Sequence, residues 1–406
     1  MMWTLLKIYF GLGLLAISVY GDINDDIWDL DKNKKDNTID GLFKPVHHND
    51  IGRGGYGRIF RGINLLNDDI VAMKFTNNTP KAKANSDREF EMYWYLDAVD
   101  KPSVEKYGIS PIYYYNKWGP HILTVMSLFD CHLYKKSTEI ATEPINTLIL
   151  FRDFVRQSKY IHSRGVRHDD VKPENILLRK HRSFLIDFNT SAKLLETTAS
   201  GTIKYVARRF YREKRLRYPV DDWECFLYSI SELNGVNLQW FDEKQFKGLK
   251  GTEVINKAIM ELKSNTNLTI DRIKEKIQDT RLQEVFVAFA NEALKPDIFF
   301  PDYNRLEDLI MKKINEIVGI GRPALFTWLS TTEREEGIAD LYANPLVTAH
   351  EIPQPQKNIK YKPVDYDYFE KRKKLMQKKV AELKKKGKNG FMSHLMPKFG
   401  KKIVPV

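Results

Sequence analysis

The segment His168-Asp169-Asp170-Val171-Lys172-Pro173-Glu174-Asn175 decides the fold of this chain. Three of its side chains have complementary chemistry at a fixed spacing. Asp170 can accept the proton of a hydroxyl group and orient that group, and Lys172 can neutralise charge on a phosphoryl group in transfer. Asn175 offers an amide oxygen to a magnesium ion. A charged surface turn would rarely carry these residue types at this spacing, so we interpret the segment as a catalytic loop.

A second acidic motif follows twelve residues after Asn175. The apolar run Phe184-Leu185-Ile186 has the pattern of a strand and ends in Asp187. Magnesium prefers hard oxygen ligands and takes few of them from protein. Asp187 and Asn175 are therefore predicted to form a metal site that bridges phosphate groups.

A glycine-rich segment, Gly52-Arg53-Gly54-Gly55-Tyr56-Gly57, lies far upstream of the catalytic loop. Glycines let a backbone pass close over phosphates and present bare N–H groups to them. The same pattern occurs in ordinary turns and in dinucleotide-binding folds, but those folds need a helix directly after the glycines. Here residues 59–63 have the pattern of a strand. We therefore expect a nucleotide to be covered by Gly52, Gly54, Gly55, Gly57 and Ile59.

A lysine ends the apolar run Val71-Ala72-Met73-Lys74, seventeen residues beyond Gly57. Burying a lysine at the end of a strand is costly unless the charge is paired. Lys74 is predicted to bind the α- and β-phosphates of ATP. A surface lysine whose stem lies along the sheet is the alternative, which the preceding glycines make less attractive.

The carboxylate that pairs with Lys74 is expected on the helix that follows. Glu89 shares a helical face with apolar residues at 92, 93 and 96, so its side chain should point inward. Glu91 is the alternative partner. A solvated helix charge remains possible for each of the two glutamates.

Hydrophobic periodicity supports a sheet followed by helices. Short β-prone runs at 59–60, 70–75, 112–115 and 122–126 predict strands, and one helix at 87–98 interrupts them. From residue 147 onward apolar residues recur at helical spacing. They predict helices over 149–163, 222–233, 255–263, 282–294 and 303–317.

With these motifs in order, residues 46–320 resemble the eukaryotic protein kinase family. The segment Gly201-Thr202-Ile203-Lys204-Tyr205 stands where most kinases carry a run that ends in Ala-Pro-Glu, and Asp221-Asp222-Trp223-Glu224 opens an apolar helix. These details are most similar to the casein kinase 1 and vaccinia-related kinase group. The Lys-Pro-Glu-Asn run that starts at Lys172 is similar to serine/threonine kinases rather than tyrosine kinases.

The resemblance implies an α+β fold with two lobes. Residues 46–126 would form a small antiparallel β lobe with one helix, and residues 130–320 a large, mainly helical lobe. ATP and Mg²⁺ would bind in the cleft between the lobes. The resemblance also implies that Met126 is the gatekeeper, that Leu128 belongs to the hinge that holds adenine, and that Asp221 holds the backbone of the catalytic loop.

Two positions depart from the family pattern. Asp169 stands where most kinases have the arginine that pairs with a phosphorylated activation loop, and an aspartate would repel a phosphate. We therefore predict no activation by phosphorylation of this loop. Asn189 stands in place of the glycine of Asp-Phe-Gly. Glycine permits positive φ at that position, and asparagine is the next most tolerant residue.

Three functions fit these motifs. The first is an active serine/threonine kinase of protein substrates, which the intact phosphate, proton and metal groups favour. The second is a secreted pseudokinase that acts as a binding module, for which Asp169 and Asn189 are the support. The third is a kinase of a small molecule or sugar, against which the Lys-Pro-Glu-Asn run argues.

Composition and the N-terminus suggest a secreted globular protein. The chain has 406 residues, of which 42% are hydrophobic, and its two cysteines give neither a disulfide framework nor a thiolate zinc site. Lys7 precedes an apolar run at residues 8–20 that is shorter than the about 20 residues of a membrane span. We interpret 1–21 as a cleaved signal peptide and 22–45 as a linker, with an uncleaved signal anchor as the alternative. The protein is therefore expected in the secretory pathway lumen or outside the cell.

The net charge of +12 comes from the C-terminal tail. Residues 371–402 hold 13 basic residues and one acidic residue, whereas the remainder holds 52 of each. We assign 321–406 to an irregular connector followed by this tail, in which residues 370–386 have the pattern of a basic amphipathic helix. The tail could bind an anionic membrane surface, nucleic acid or an acidic substrate, serve as a nuclear address, or remain solvated and partly disordered. Its removal is expected to leave catalysis intact. The sequence does not determine the oligomeric state.

Overall fold

The computed structural model describes residues 38–46, 50–54, 57–198, 201–211, 216–242, 246, 249, 251–296 and 298–386. The predicted signal peptide, Gly55 and the tail beyond residue 386 lie outside these residues. The described residues divide into two compact units: a small unit within 38–83, 114–128 and 365–386, and a large unit within 84–113 and 129–364. Within the described residues, no helix is both long and apolar enough to cross a membrane.

The small unit is built on an antiparallel sheet whose strand order is β1-β3-β4-β6-β5, with β2 paired to β3. Alternating residues of β4 form the core, because Val71, Met73 and Phe75 are fully buried. The four predicted strands are confirmed and lie within β3 to β6. The strands are β1 Phe43–Pro45, β2 Gly52–Gly54, β3 Gly57–Asn64, β4 Ile70–Asn77, β5 Ile112–Trp118 and β6 His121–Ser127.

Gly57 is required by the close approach of β3 to β4. A Cβ at this position would lie 1.9 Å from the carbonyl oxygen of Phe75 and 3.0 Å from Thr76 Cα. Any side chain here would push the two strands apart. The sequence assigned Gly57 to the nucleotide cover alone, so its packing role is a further constraint that spacing did not reveal.

The helix α1 (Pro80–Tyr95) begins seven residues before its predicted start at 87 and ends before 98. Residues 84–95 of α1 group with the large unit, so the observed units differ from the lobe boundaries expected from the resemblance. Residues 38–45 also differ from the expected linker, because Ile39, Leu42 and Phe43 are buried in the small unit.

The large unit is mainly helical and surrounds the buried helix α3 (Pro144–Ser163). Phe151 and Phe154 of α3 contact the rings of Phe226 and Phe289, and the pair Phe154–Phe226 is stacked. The helices predicted from residue 149 to 317 are confirmed, while α6 and α9 were not predicted. The remaining helices are α2 Ser137–Thr142, α4 Pro219–Leu233, α5 Thr252–Ser264, α6 Thr266–Lys276, α7 Thr280–Ala293, α8 Tyr303–Val318 and α9 Thr331–Ala343.

Short strands of the large unit carry the functional loops. A three-stranded sheet has the order β10-β9-β7, and β11 pairs with β8. These strands are β7 Cys131–His132, β8 Val166–Arg167, β9 Ile176–Arg179, β10 Arg182–Leu185 and β11 Ala192–Lys193. The catalytic loop follows β8, and the segment that begins at Asp187 follows β10.

The connector after residue 320 is a folded part of the large unit rather than an irregular link. Phe326, Ala349 and Ile352 are buried. Lys159 Nζ donates a hydrogen bond to the carbonyl oxygen of Ala349 (2.6 Å), and Asn146 Nδ2 donates to Thr327 Oγ1 (2.8 Å). The sequence did not predict that this segment is folded, because its few apolar residues show only weak periodicity and are separated by polar residues.

The last described helix, α10 (Tyr368–Lys386), belongs to the small unit. Phe369, Met376 and Val380 are buried, as the amphipathic pattern predicted, whereas Leu383 on the same expected face is 46% exposed. The ring centroids of Phe369 and Tyr114 lie 5.4 Å apart. The solvated, partly disordered tail is therefore the wrong interpretation for residues 368–386.

Polar contacts fix α10 to two other segments of the small unit. Asn116 Nδ2 donates to Glu370 Oε2 (2.6 Å), and Gln377 Nε2 donates to the carbonyl oxygen of Asp40 (2.7 Å). Lys373 Nζ lies 2.7 Å from the carboxylate of Asp40. Deleting this helix would expose apolar surface, so the expectation that the whole tail is dispensable no longer holds for α10.

Candidate active site

The catalytic loop is held by the carboxylate of Asp222 on α4. Its Oδ2 accepts a hydrogen bond from the backbone N–H of His168 (2.8 Å), and its Oδ1 accepts one from Asp169 (2.8 Å). His162 Nε2 lies 2.9 Å from Oδ2. Burial alone would raise the pKa of Asp222, but the bond from His162, the nearby imidazoles and the backbone donor lower it to about 2. Asp222 is therefore an anchor that stays ionised.

Asp221 does not hold the loop, and the role that the resemblance implied for it is wrong by one residue. Asp221 is the third residue of α4, and its carboxylate caps the helix by accepting from Tyr218 N (2.7 Å) and also pairs with Arg209. Consecutive helical residues point about 100° apart, so only one of two adjacent acids can face the loop. Two adjacent acids at the start of a helix cannot be told apart by sequence spacing alone.

Asp170 is oriented from both sides of its carboxylate. Oδ1 accepts hydrogen bonds from the backbone N–H (2.8 Å) and from Oγ1 (2.7 Å) of Thr202. Lys172 Nζ donates to Oδ2 (2.7 Å) and also to Thr202 Oγ1 (3.1 Å). The structure thus brings the two predicted catalytic residues together. Thr202 is a functional residue that sequence reasoning missed, because its role depends on a loop that returns from thirty residues away.

Asn175 and Asp187 fit the predicted magnesium site. Asn175 Nδ2 donates to the carbonyl oxygen of Asp170 (2.9 Å), so the amide oxygen is not used in that bond. Oδ1 of Asp187 is buried, and it has no hydrogen-bond partner among the described residues. Burying a carboxylate oxygen without a partner costs free energy unless a cation binds to it. No group of three or more His, Cys, Asp or Glu ligands occurs in the described ranges, and Mg²⁺ needs few protein ligands.

Asn189 does not require the backbone freedom of glycine. It lies in the short 3-10 turn Phe188–Thr190, and the residue with positive φ in this motif is Asp187, at 65°. The concern that asparagine strains this position is therefore wrong. The Phe188 ring packs between Tyr93 (5.1 Å between centroids) and His168 (4.8 Å).

Residues predicted to bind nucleotide lie on the sheet of the small unit. Lys74 of β4 pairs with Ile59 on β3 and with Thr124 on β6. Met126 is buried at the end of β6, and Leu128 follows that strand. Gly52 and Gly54 form β2. Their roles toward ATP stay predictions.

The two candidate partners of Lys74 differ in their surroundings within the large unit. Glu89 is 4% exposed, as its helical face predicted. Glu91 is engaged within the large unit, where Lys193 Nζ lies 2.8 Å from one carboxylate oxygen and Arg88 Nη1 lies 3.0 Å from the other. Pairing of Glu89 with Lys74 stays a prediction.

One family of known proteins matches more than half of this chain. The protein kinase domain model matches residues 46–299. This chain belongs to the protein kinase family. Casein kinase I homolog 2 of Schizosaccharomyces pombe is 25% identical over 64% of this chain and 60% of its own length, and a probable casein kinase I homolog of Encephalitozoon cuniculi is 26% identical over 48% and 63%. The kinase MARK-C of Dictyostelium discoideum is 27% identical over 53% of this chain and 29% of its own length.

The family match and these relatives confirm the resemblance to eukaryotic protein kinases and, among them, to the casein kinase 1 group. The chain spans 60% to 63% of the length of the casein kinase I relatives it matches. The α+β, two-lobed fold class is confirmed by the family match together with the antiparallel sheet and the helical large unit.

In this chain a buried ionic cluster takes the place of the usual loop arginine of the family. Arg167 donates from Nε to Asp169 Oδ1 (3.2 Å) and from Nη2 to Oδ2 (3.0 Å). Arg217 donates from Nη1 to the carbonyl oxygen of Asp169 (3.0 Å), and Thr198 Oγ1 donates to Oδ2 (3.0 Å). All three charged side chains are fully buried. The Asp169 carboxylate thus binds two arginines and the activation segment without an added phosphate.

Arginines also replace the Ala-Pro-Glu anchor that most members of the family carry. The Glu224 carboxylate accepts from the backbone N–H (2.8 Å) and from Nε (3.0 Å) of Arg208. Arg209 pairs with Asp221 and donates to the carbonyl oxygen of Pro296 (2.6 Å). The end of the activation segment is therefore tied to α4 and to the loop after α7 by cations that the segment itself supplies.

Lys263 of α5 holds the loop that follows Thr202. Its Nζ donates to the carbonyl oxygens of Ile203 (2.9 Å) and Val206 (2.7 Å) and lies 5.0 Å from the ring centroid of Tyr228. Burial lowers the pKa of Lys263 to about 7, although the carboxylate of Glu224 favours the charged form. Arg208, Arg217 and Cys225 are the other ionisable groups nearby.

Replacing Lys263 with Met should change how stability depends on pH. Between pH 7 and its ordinary pKa of 10.5, the unfolded lysine is protonated and the folded lysine is neutral, so stability rises with pH. Relative to Lys263→Met, the wild-type free energy of unfolding should rise by up to about 1.4 kcal/mol per pH unit above pH 7. Urea unfolding of both proteins from pH 6 to 9 measures this difference. A constant difference would show that Lys263 stays charged.

Proposed function

We propose that this chain is an active serine/threonine kinase that transfers the γ-phosphate of Mg-ATP to hydroxyl groups of protein substrates. The observation that carries the proposal is the carboxylate of Asp170, which Thr202 and Lys172 orient together. A module that only bound ATP would not need this orientation. The similarity to casein kinase I homologs and to a probable serine/threonine-protein kinase supports the same chemistry.

In the proposed reaction, Asp170 orients the substrate hydroxyl and accepts its proton. Lys172 stabilises negative charge on the phosphoryl group during transfer. Asp187 and Asn175 would hold Mg²⁺, which supplies electrostatic stabilisation to the phosphates when bound. Asp222 acts through the backbone of the loop, because it fixes the two residues that precede Asp170.

The alternative of a secreted pseudokinase loses much of its support. Asp169 forms buried ion pairs with Arg167 and Arg217, and Asn189 has an ordinary backbone conformation. Neither residue displaces a proton, phosphate or metal group. A kinase of a small molecule or sugar has no specific observation in its favour.

Transfer of labelled γ-phosphate from Mg-ATP to casein tests the proposal, with residues 22–406 as the enzyme. Asp170→Ala removes the proton acceptor and should abolish transfer, whereas the matched Asp130→Ala changes an acid outside the catalytic network. We expect transfer by the wild type and Asp130→Ala alone. ATP binding without transfer in every variant would instead support the pseudokinase.

We also propose that the kinase acts in the secretory pathway lumen or outside the cell, with residues 1–21 removed as a signal peptide. The apolar run at residues 8–20 and its single preceding lysine support this proposal. Peptide mapping of the mature protein from a eukaryotic host should find residue 22 at the N-terminus. It should also find Asn189 without a glycan, although Thr190 and Ser191 complete an acceptor sequence. Retention of Met1 would contradict cleavage.

We further propose that the basic tail binds an anionic surface, with nucleic acid as the other candidate ligand. The outward face of α10 supports this, because its exposed lysines include Lys374, Lys378, Lys379 and Lys385. Binding to anionic lipid vesicles should be lost when these four lysines are changed to Gln. Retention on neutral vesicles, or preference for duplex nucleic acid, would contradict the membrane proposal.

A further inference from the structure

The C-terminal extension places one tyrosine at the start of the activation segment. Tyr361 donates a hydrogen bond from its hydroxyl to the carbonyl oxygen of Gly165 (2.6 Å). The same hydroxyl accepts from the backbone N–H of Leu194 (3.2 Å), which also bonds to Gly165 O (2.9 Å). Tyr361 therefore reinforces the junction at which β11 pairs with β8.

The ring of Tyr361 also contacts the end of α1. Its centroid lies 4.9 Å from that of Tyr95, and Lys193 Nζ lies 5.4 Å and 5.0 Å from the two centroids. Lys193 pairs with Glu91 of the same helix, whose other carboxylate oxygen pairs with Arg88. The tyrosine thus covers an ion-pair cluster that joins α1 to β11.

Arg88 extends this cluster along the activation segment. Its Nε donates to the carbonyl oxygen of Ser191 (3.0 Å), and its Nη2 pairs with Glu196 (2.5 Å). Burial alone would lower the pKa of Arg88, but Glu196 and Glu91 raise it. Residues on both sides of β11 are therefore fixed to the helix that carries Glu89.

The absence of a side chain at Gly165 leaves the space that Tyr361 occupies. The φ of Gly165 is 81°, and a Cβ at this position would lie 2.6 Å from the hydroxyl oxygen of Tyr361 and 2.9 Å from Ile359 Cδ1. The extension is also fixed upstream, where Glu307 Oε2 accepts from the backbone N–H of Ala349 and Lys159 donates to its carbonyl oxygen. The segment 349–361 is thus held at both ends.

We propose that Tyr361 is a positioning residue through which the C-terminal extension fixes α1 and the activation segment in one arrangement. It touches no residue predicted to contact substrate or ATP. Its effect on turnover would pass through Glu89 on α1 and through the segment that leads to Thr202. The proposed effect on turnover rests on the kinase activity proposed above, whereas the effect on local order does not.

Amide hydrogen exchange of Tyr361→Phe and Tyr361→Ala tests this proposal. The phenylalanine variant keeps the ring and loses two hydrogen bonds, so exchange at residues 192–196 should rise about tenfold. The alanine variant also loses the contact with Tyr95, so residues 88–96 should exchange faster as well. Tyr342→Ala, at a tyrosine that is 69% exposed on α9, is the matched control and should change neither segment.

Turnover measured on the same proteins completes the test. We expect kcat to fall about fivefold in Tyr361→Phe and further in Tyr361→Ala, with the KM for peptide changed less, because the loss is one of positioning. Unchanged exchange in both segments of Tyr361→Phe would overturn the proposal. If the wild type transfers no phosphate, the function proposed above fails, while the exchange data still decide whether Tyr361 orders the two segments.

Discussion

The rest of the site depends on one buried carboxylate, that of Asp222, which receives the backbone N–H groups of His168 and Asp169. An unpaired buried amide costs about 1–3 kcal/mol, so a loop that leaves Asp222 loses both bonds at once. This anchor sets the position of Asp170, and Asp170 in turn receives Thr202. The order of the catalytic loop and of the activation segment is therefore built outward from α4.

A second buried acid, Asp169, gives the activation segment its fixed charge. Taking Arg167, Arg217 and Asp169 out of water is expensive, and such clusters are weak evidence for net stability. Removing the carboxylate of Asp169, however, leaves two buried arginines without their shared partner and costs about 3–5 kcal/mol. The cluster therefore favours one loop arrangement over others. In kinases with an arginine at this position, a phosphate supplies the negative charge that Asp169 supplies here.

Sequence motifs predicted the catalytic and metal-binding groups because those groups require particular chemistry at a fixed local spacing. Contacts between distant segments carried no such signal. The choice between Asp221 and Asp222 needed the direction of a helix face, and the role of Thr202 needed the path of a loop. The sequence left the tail open between an amphipathic helix and a solvated segment, because its lysines outnumber Phe369 and the other apolar residues that fix α10.

The activity of phosphate-free protein tests the central claim most directly. The kinase would be treated with phosphatase until intact mass shows no phosphate, and its turnover on casein compared with that of untreated protein. The account predicts equal turnover, because the Asp169 carboxylate already pairs with Arg167 and Arg217. Loss of turnover after treatment, restored by phosphorylation within residues 197–202, would contradict it.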